Sequence, residues 1–328
     1  MKRVNDIYGK IISIDNLRLA DKMARKGKIN SYGVQIFDRN REGKLESLHF
    51  DLKNNLYKTS KYHIFKIYKP KEREVYRLPY YPDRIVHWAI MIQLEPIWLH
   101  VFTNDTYCCI KGRGINGSAI KLNKVLKSDS ENTTYCLKFD IKKYYPSIDQ
   151  GILMTIIKKK IKCDKTLTLL ENIITSIPSG VPIGNYISQF AANLYLSYFD
   201  HWLKEEMKVK HYFRYCDDFV ILGKNKESLR HLFLKISEYL TVNLKLEIKK
   251  NYQIFPVNHR GIDFVGYKFY HSHVLLRKGI KKRMMAKLAK VRRLGLKGVN
   301  RKIQMASYWG WVSQPFTTTY NLKMKMIS

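Results

Sequence analysis

Aspartates 217 and 218 stand side by side in HYFRYCDDFVIL, residues 211–222, between apolar, β-prone runs. Adjacent carboxylates repel one another. A polar hairpin tip in water tolerates them, and so does a divalent cation, whose charge turns the repulsion into attraction. A third carboxylate, Asp140, closes the apolar run YCLKF just before IKKYYPSI. If the two runs are neighbouring strands of one sheet, the three acids converge on its edge. Hard oxygen ligands of that kind suit Mg²⁺, which binds through few carboxylates, keeps several waters and shares substrate phosphates. Two such ions can clamp an in-line phosphoryl transfer, one activating the attacking hydroxyl and the other holding the leaving pyrophosphate. An Asp-Asp pair alone is common in ordinary loops; a strand-end Asp, a Gly-rich loop before a helix and a Tyr-x-Asp-Asp box, in that order, narrow the choice.

The surrounding segments must position these groups. Residues 134–148, TYCLKFDIKKYYPSI, open as a strand and break at Pro146, with a helix expected near 149–161. Residues 179–207 read as a Gly/Pro loop running into one long helix, followed by the quoted hairpin and a helix near 226–240. Further upstream, 16–28 read as a basic amphipathic helix capped near Asn16, and 64–78 as a basic β-hairpin. Residues 83–102 have helical periodicity and are apolar enough to be buried. GIDFVGYKFY, 261–270, is a candidate strand pair bent at Gly266.

The 328 residues carry 60 Lys and Arg against 27 Asp and Glu, a net charge of +33. Self-repulsion of that size calls for a polyanionic partner, nucleic acid first. A membrane is the weaker candidate, because no apolar run is long enough to span one. The 45% apolar content excludes global disorder. Five cysteines, Cys108, Cys109, Cys136, Cys163 and Cys216, form no C-x-x-C pair and read as reduced core thiols of a cytoplasmic protein. His271 and His273 read as a satisfied surface pair. After Asp263 there is no acidic residue while fifteen Lys and Arg follow, so the helical stretch KGIKKRMMAKLAKVRRLGLK is expected to lie against phosphates.

These motifs, in this order over roughly residues 60 to 270, resemble the reverse transcriptases. FDIKKYYPSI resembles the first palm motif, GVPIGNYISQ the second, YCDD the Tyr-x-Asp-Asp box and GIDFVGY the primer-grip region. KPKEREVYRLPYYPDRIVHWAI and CCIKGRGINGSA resemble fingers motifs. Pro182-Ile183-Gly184 replaces the Pro-Gln-Gly of most group II intron-related enzymes. With NLYKTSKYHIFKIYKPKER and SYWGW, this resembles the reverse transcriptases of diversity-generating retroelements, which copy a template RNA with frequent errors at adenines. An aliphatic Ile183 cannot make the hydrogen bond of the missing Gln, a physical route to low fidelity.

The resemblance implies an α+β right-hand polymerase with fingers over 1–130, palm over 131–270 and a short helical thumb over 271–328. Asp140, Asp217 and Asp218 would be catalytic, and Asp140, Ile141, Asp217 and Asp218 would hold two Mg²⁺ ions, with Mn²⁺ as a substitute. Nucleotide contacts would come from Arg73, Lys71, Tyr145, Ile183, Gly184 and Tyr215. Tyr145 would be the aromatic gate against a ribose 2′-hydroxyl, with Tyr144 the core partner. Template and primer contacts would come from Gly180, Pro182, Ser188, Gln189 and Gly266. For Lys71, Ser188 and Gln189 a generic charge or helix-start role is equally open, as is orientation of the fingers for Arg84, a general acid for Lys249 or Lys250, and anchoring or stacking for Trp309 and Trp311. Expected partners are template RNA, the RNA–DNA hybrid, deoxynucleoside triphosphates and a small basic helical accessory protein, in the cytoplasm of a bacterium or from a phage. No segment reads as a ribonuclease or endonuclease domain. The alternatives are a retron-like or defence-associated reverse transcriptase without adenine errors, an RNA-templated RNA polymerase, and an inactive RNA-binding module. YCDD and Tyr145 argue against the RNA polymerase, and the intact acidic trio against the inactive module.

Overall fold

A computed structural model describes residues 3–68 and 72–317. The fold is α+β. The chain forms two compact units, each drawn from separated stretches: 1–103, 142–202 and 239–247 in the first, 104–141, 203–238 and 248–328 in the second.

The first unit is mainly helical. Its most apolar helix, Ile85–Leu99, is buried along Ile85, Val86, Ala89, Ile90, Met91, Leu94 and Trp98. Helix Ile14–Ala24 packs beside it, but its cap is Ser13, whose hydroxyl accepts from the Asn16 amide. Asn16, expected at the cap, lies inside the first turn. Its side-chain amide donates to the carbonyls of Ile11 at 2.9 Å and Ala89 at 3.0 Å, so it ties two helices together. Strands β1 (His63–Ile67) and β2 (Arg73–Arg77) form the expected basic hairpin, antiparallel and largely exposed. The stretch after the Gly/Pro loop is not one helix: it runs Tyr186–Tyr195, breaks at Leu196 and resumes as Ser197–His201. The Ser197 hydroxyl donates to the Leu194 carbonyl at 2.6 Å, a local bond that competes with the helical ladder at the break.

The second unit holds the sheets. Strands β3 (Tyr135–Asp140), β4 (His211–Tyr215), β5 (Asp218–Gly223) and β6 (Gln253–Pro256) form an antiparallel sheet in the order β4-β5-β3-β6. Phe139 and Phe219, opposite one another, stack with centroids 4.5 Å apart. Strands β7 (Ile262–Phe264), β8 (Tyr267–Phe269) and β9 (Val274–Leu276) form a second, three-stranded sheet. Gly266 makes its first turn at φ +91°, and a Cβ there would collide with the Trp311 ring. Trp311 is thus an anchor: its carbonyl also accepts from the Tyr267 hydroxyl at 3.0 Å. Helix Lys278–Arg293 buries Ile280, Met284, Leu288 and Val291 in the same core and leaves Lys281, Lys282, Arg283, Lys290, Arg292 and Arg293 outward. His271 is satisfied between Thr133 and Asn258, and His273 bonds to Ser272. Among the described residues no helix is long and apolar enough to cross a membrane.

Candidate active site

The sheet of the second unit brings the acids together. β4 ends at Tyr215 and β5 begins at Asp218, with Tyr215 and Asp218 paired across a two-residue turn of Cys216 and Asp217. Cys216 takes the left-handed conformation at φ +57°, as such tight turns require. The strand flanks Phe213, Phe219, Val220 and Ile221 are buried, so the turn is held from below while its carboxylates stay at the sheet edge. Asp140 is the last residue of β3 and lies directly opposite Asp218 in the antiparallel register. The Ile141 amide donates to the Asp217 carbonyl at 3.3 Å, which closes the trio. Ile141 itself is fully buried.

The electrostatics of the trio are strained. Burial raises the carboxyl groups of Asp217 and Asp218 to about 6, and the charge of Asp140 adds to both. Two lysines answer part of that charge. Lys249 Nζ donates to Asp140 Oδ1 at 2.7 Å, and its backbone amide donates to the Asp140 carbonyl at 2.9 Å. Lys138, on the face of β3 that carries Asp140, ion-pairs with Asp218 Oδ1 at 3.4 Å and donates to the Asp263 carbonyl. That pair leaves Asp218 Oδ1 buried without a hydrogen-bond donor. Among the described residues no three His, Cys, Asp or Glu side chains are already gathered around one cation-sized position. Clustered carboxylates, two of them reluctant to ionise and one with an orphaned oxygen, fit a hard divalent cation that needs few protein ligands and takes the rest from water and phosphate.

The first unit holds most of the other residues singled out above. Loop 180–184 ties them together. A Cβ on Gly180, at φ +71°, would lie 2.5 Å from the Tyr145 carbonyl oxygen and 2.6 Å from Pro146 Cα. The Val181 amide donates to that same Tyr145 carbonyl at 3.0 Å. At the loop's other end the Tyr76 amide of β2 donates to the Ile183 carbonyl at 2.8 Å, and a Cβ on Gly184 would sit 3.2 Å from the Tyr76 carbonyl oxygen. Both glycines are therefore required by approaches of the protein's own backbone. Pro182 and Ser188 are buried, Ile183 and Gln189 half-buried. Tyr144 is buried, its hydroxyl on the Ala192 carbonyl at 2.5 Å, while Tyr145 beside it is half-exposed. Arg73 opens β2 opposite Ile67 and is exposed. Arg84 is half-buried, its Nε toward the Leu78 carbonyl at 3.5 Å. Lys71 lies outside the described residues.

Three features escaped the sequence reading. Lys138 is the lone cation in an apolar strand two residues before Asp140, and the period of two was the available signal. Arg214 is fully buried behind the turn, donating to the Cys216 carbonyl at 3.2 Å and to Thr106 Oγ1 at 3.3 Å. The cysteines are not scattered core thiols throughout: Cys108, Cys109 and Cys216 gather at Tyr215.

Comparison with known proteins gives a consistent set of likenesses. A sequence model of the family described as reverse transcriptase (RNA-dependent DNA polymerase) matches residues 67–269. Protein YkfC of Escherichia coli K12 is 24% identical over 250 residues, covering 62% of this chain and 65% of that protein. Nuclear intron maturase 4, mitochondrial, of Arabidopsis thaliana is 26% identical over 188 residues, covering 53% of this chain and 23% of the maturase. The chain thus spans less than two thirds of either relative. Among solved structures, a Candida tropicalis telomerase in complex with a TWJ fragment of telomeric RNA superposes with a TM-score of 0.50 at 11% identity, covering 87% of this chain and 62% of that one. At that identity the likeness concerns the fold alone.

Proposed function

The chain belongs to the reverse transcriptase family, and from that premise we propose that it is an RNA-templated DNA polymerase whose catalytic groups are Asp140, Asp217 and Asp218. The observation that carries this reading is the register of β3 against β5, which sets Asp140 opposite Asp218 with Asp217 at the adjoining turn. Asp140, Asp217 and the Ile141 carbonyl would hold two Mg²⁺ ions, or Mn²⁺, with Asp218 in support. Held there, such ions supply Lewis-acid charge for attack of a primer 3′-hydroxyl on a deoxynucleotide α-phosphate. The chain's own groups do the positioning. Lys249 orients Asp140, Lys138 orients Asp218, and buried Arg214 braces the turn from behind. Tyr145, its ring half-exposed beside core Tyr144, serves as the gate under the deoxyribose. Arg73 and Lys71 neutralise the triphosphate, and Tyr215 and Gly184 complete the nucleotide side.

In this reading 1–130 are fingers, 131–270 palm and 271–328 thumb, with template and primer held by Gly180, Pro182, Ser188, Gln189 and Gly266. The outward cations of helix Lys278–Arg293 grip the hybrid through phosphates. The test is extension of a primed RNA template with deoxynucleotides and Mg²⁺, and no product above the Asp217→Asn background overturns the assignment. Lys138→Met should lower the extension rate about tenfold while Lys138→Arg keeps most of it, because only the cation is needed beside Asp218. Equal rates in wild type and Lys138→Met would remove Lys138 from the site.

The finer reading is a polymerase of a diversity-generating retroelement, error-prone at template adenines and assisted by a small basic helical accessory protein. Ile183 supports it: a half-buried aliphatic side chain offers no hydrogen bond to an incoming base pair. Sequencing the cDNA should show misincorporation concentrated opposite adenine, and Ile183→Gln should lower it severalfold. An error spectrum flat across the four bases favours a retron-like or defence-associated enzyme instead.

A further inference from the structure

The loop that leads into Cys108 is built onto the catalytic hairpin. The Tyr107 amide donates to the Arg214 carbonyl at 3.1 Å, and the Arg214 amide donates to the Asp105 carbonyl at 3.0 Å, so residues 105–107 run as an added rung beside β4. The next two residues are cysteines. Their sulfurs are 3.3 Å apart, and because neighbouring Cα atoms lie about 3.8 Å apart, short of the ordinary disulfide span, a bond between them needs the local backbone to move as well. Cys109 is exposed and in the left-handed conformation at φ +58°, while Cys108 is buried. The Cys108 thiol also reaches Cys216 at the apex of the turn and the hydroxyl of Tyr215. One sulfur therefore touches an exposed neighbour on one side and the Tyr-Cys-Asp-Asp turn on the other.

We propose that Cys108 and Cys109 form an oxidation site for hydroperoxides, and that their disulfide disables the catalytic turn. The Cys109 sulfur, reached from solvent, attacks the terminal oxygen of the hydroperoxide. The O–O bond breaks, an alcohol or water leaves, and Cys109 becomes a sulfenic acid. The Cys108 sulfur then attacks the Cys109 sulfur, an S–S bond forms, the S–O bond breaks and water departs with the thiol proton. Two thiols have lost two electrons to one peroxide, and a dithiol reductant reverses the step. The hydrogen bond from Cys108 holds the Cys109 thiol below its ordinary pKa, in keeping with Cys109 as the attacking group. Closing a ring between neighbouring cysteines strains the backbone at 108–109, and residues 105–107 just before it are hydrogen-bonded to Arg214 of β4. The movement is passed to the end of β4, so the turn and its carboxylates shift.

The chemical half of this inference stands without the polymerase reading; the loss of activity rests on it. The experiment treats the whole chain with hydrogen peroxide, blocks the remaining thiols, digests the protein and measures peptide masses with and without dithiothreitol. A Cys108–Cys109 bond should form in the wild type, be absent in Cys109→Ser, and be reversed by the reductant. In parallel, primer extension should fall on the order of tenfold in oxidised wild type, recover on reduction, and stay unchanged in peroxide-treated Cys109→Ser, an exposed position outside the catalytic groups. Absence of that bond overturns the site. A bond that forms without changing extension, in a preparation active beforehand, overturns its effect on the turn.

Discussion

Primer extension on an RNA template should fall about a thousandfold or more in Asp140→Asn and in Asp217→Asn, with the protein still folded. Each substitution keeps the shape of the side chain and removes one negative charge from a cluster whose proposed task is to hold divalent cations against a triphosphate. Transition-state stabilisation of several kcal/mol depends on that charge, and about 4 kcal/mol corresponds to about a thousandfold in rate. Asp140 and Asp218 face one another across paired strands, so neither can stand in for the other without moving the backbone of β3 or β5. Retention of a tenth or more of the wild-type rate in Asp140→Asn, measured by single-turnover extension, would remove the convergence of the trio from the mechanism.

The same substitution should make the cation-free protein more stable. Asp217 and Asp218 have their carboxyl groups raised to about 6 from 3.8, by burial first and by neighbouring Asp140 among the remaining causes. Between about pH 4 and pH 6 the folded chain then binds more protons than the unfolded chain, so stability falls as pH rises through that window and levels off above it. A shift of about two units is worth about 3 kcal/mol for one isolated group; partial exposure and the coupling of the pair leave about 2 kcal/mol. Asp217→Asn should therefore gain about 2 kcal/mol in denaturant unfolding near pH 7 in the presence of a chelator, and little below about pH 4.5. Adding Mg²⁺ should narrow the gap by stabilising the wild type alone. A neutral-pH stability equal to or below that of the wild type would show that the turn carries no such repulsion.

What could be read from the sequence and what could not divide along physical lines. The strand ending at Asp140, the hairpin turn at Cys216–Asp217 and the bend at Gly266 depend on alternation and turn chemistry within a few residues, and they were legible there. The Ser13 cap was not, because Asn16 and Ser13 are both good capping residues and the choice is made by the Ala89 carbonyl of another helix. The break at Leu196 depends on a serine hydroxyl competing for a carbonyl, which the apolar periodicity of 186–203 conceals. Cys108 and Cys216 are far apart in sequence, and their meeting is set by the added rung beside β4. Gly180 and Gly184 are expected from the resemblance to touch template and nucleotide, while the atoms that exclude a side chain there belong to Tyr145, Pro146 and Tyr76.

Asp140 sits within two residues of the point where the chain leaves the second unit for the first, and it rejoins its sheet partner Asp218 only after an excursion of about eighty residues. β6, on the other side of β3, comes later still. During synthesis, β3 must wait for both neighbours, its apolar edge unpaired, until the ribosome has passed residue 256. Loop closure of that length delays pairing, so Asp140 can meet Asp218 only after residues 218–223 have been made. A chain released before residue 218 would carry β3 with both edges unpaired and no acidic trio, an adhesive strand without a centre.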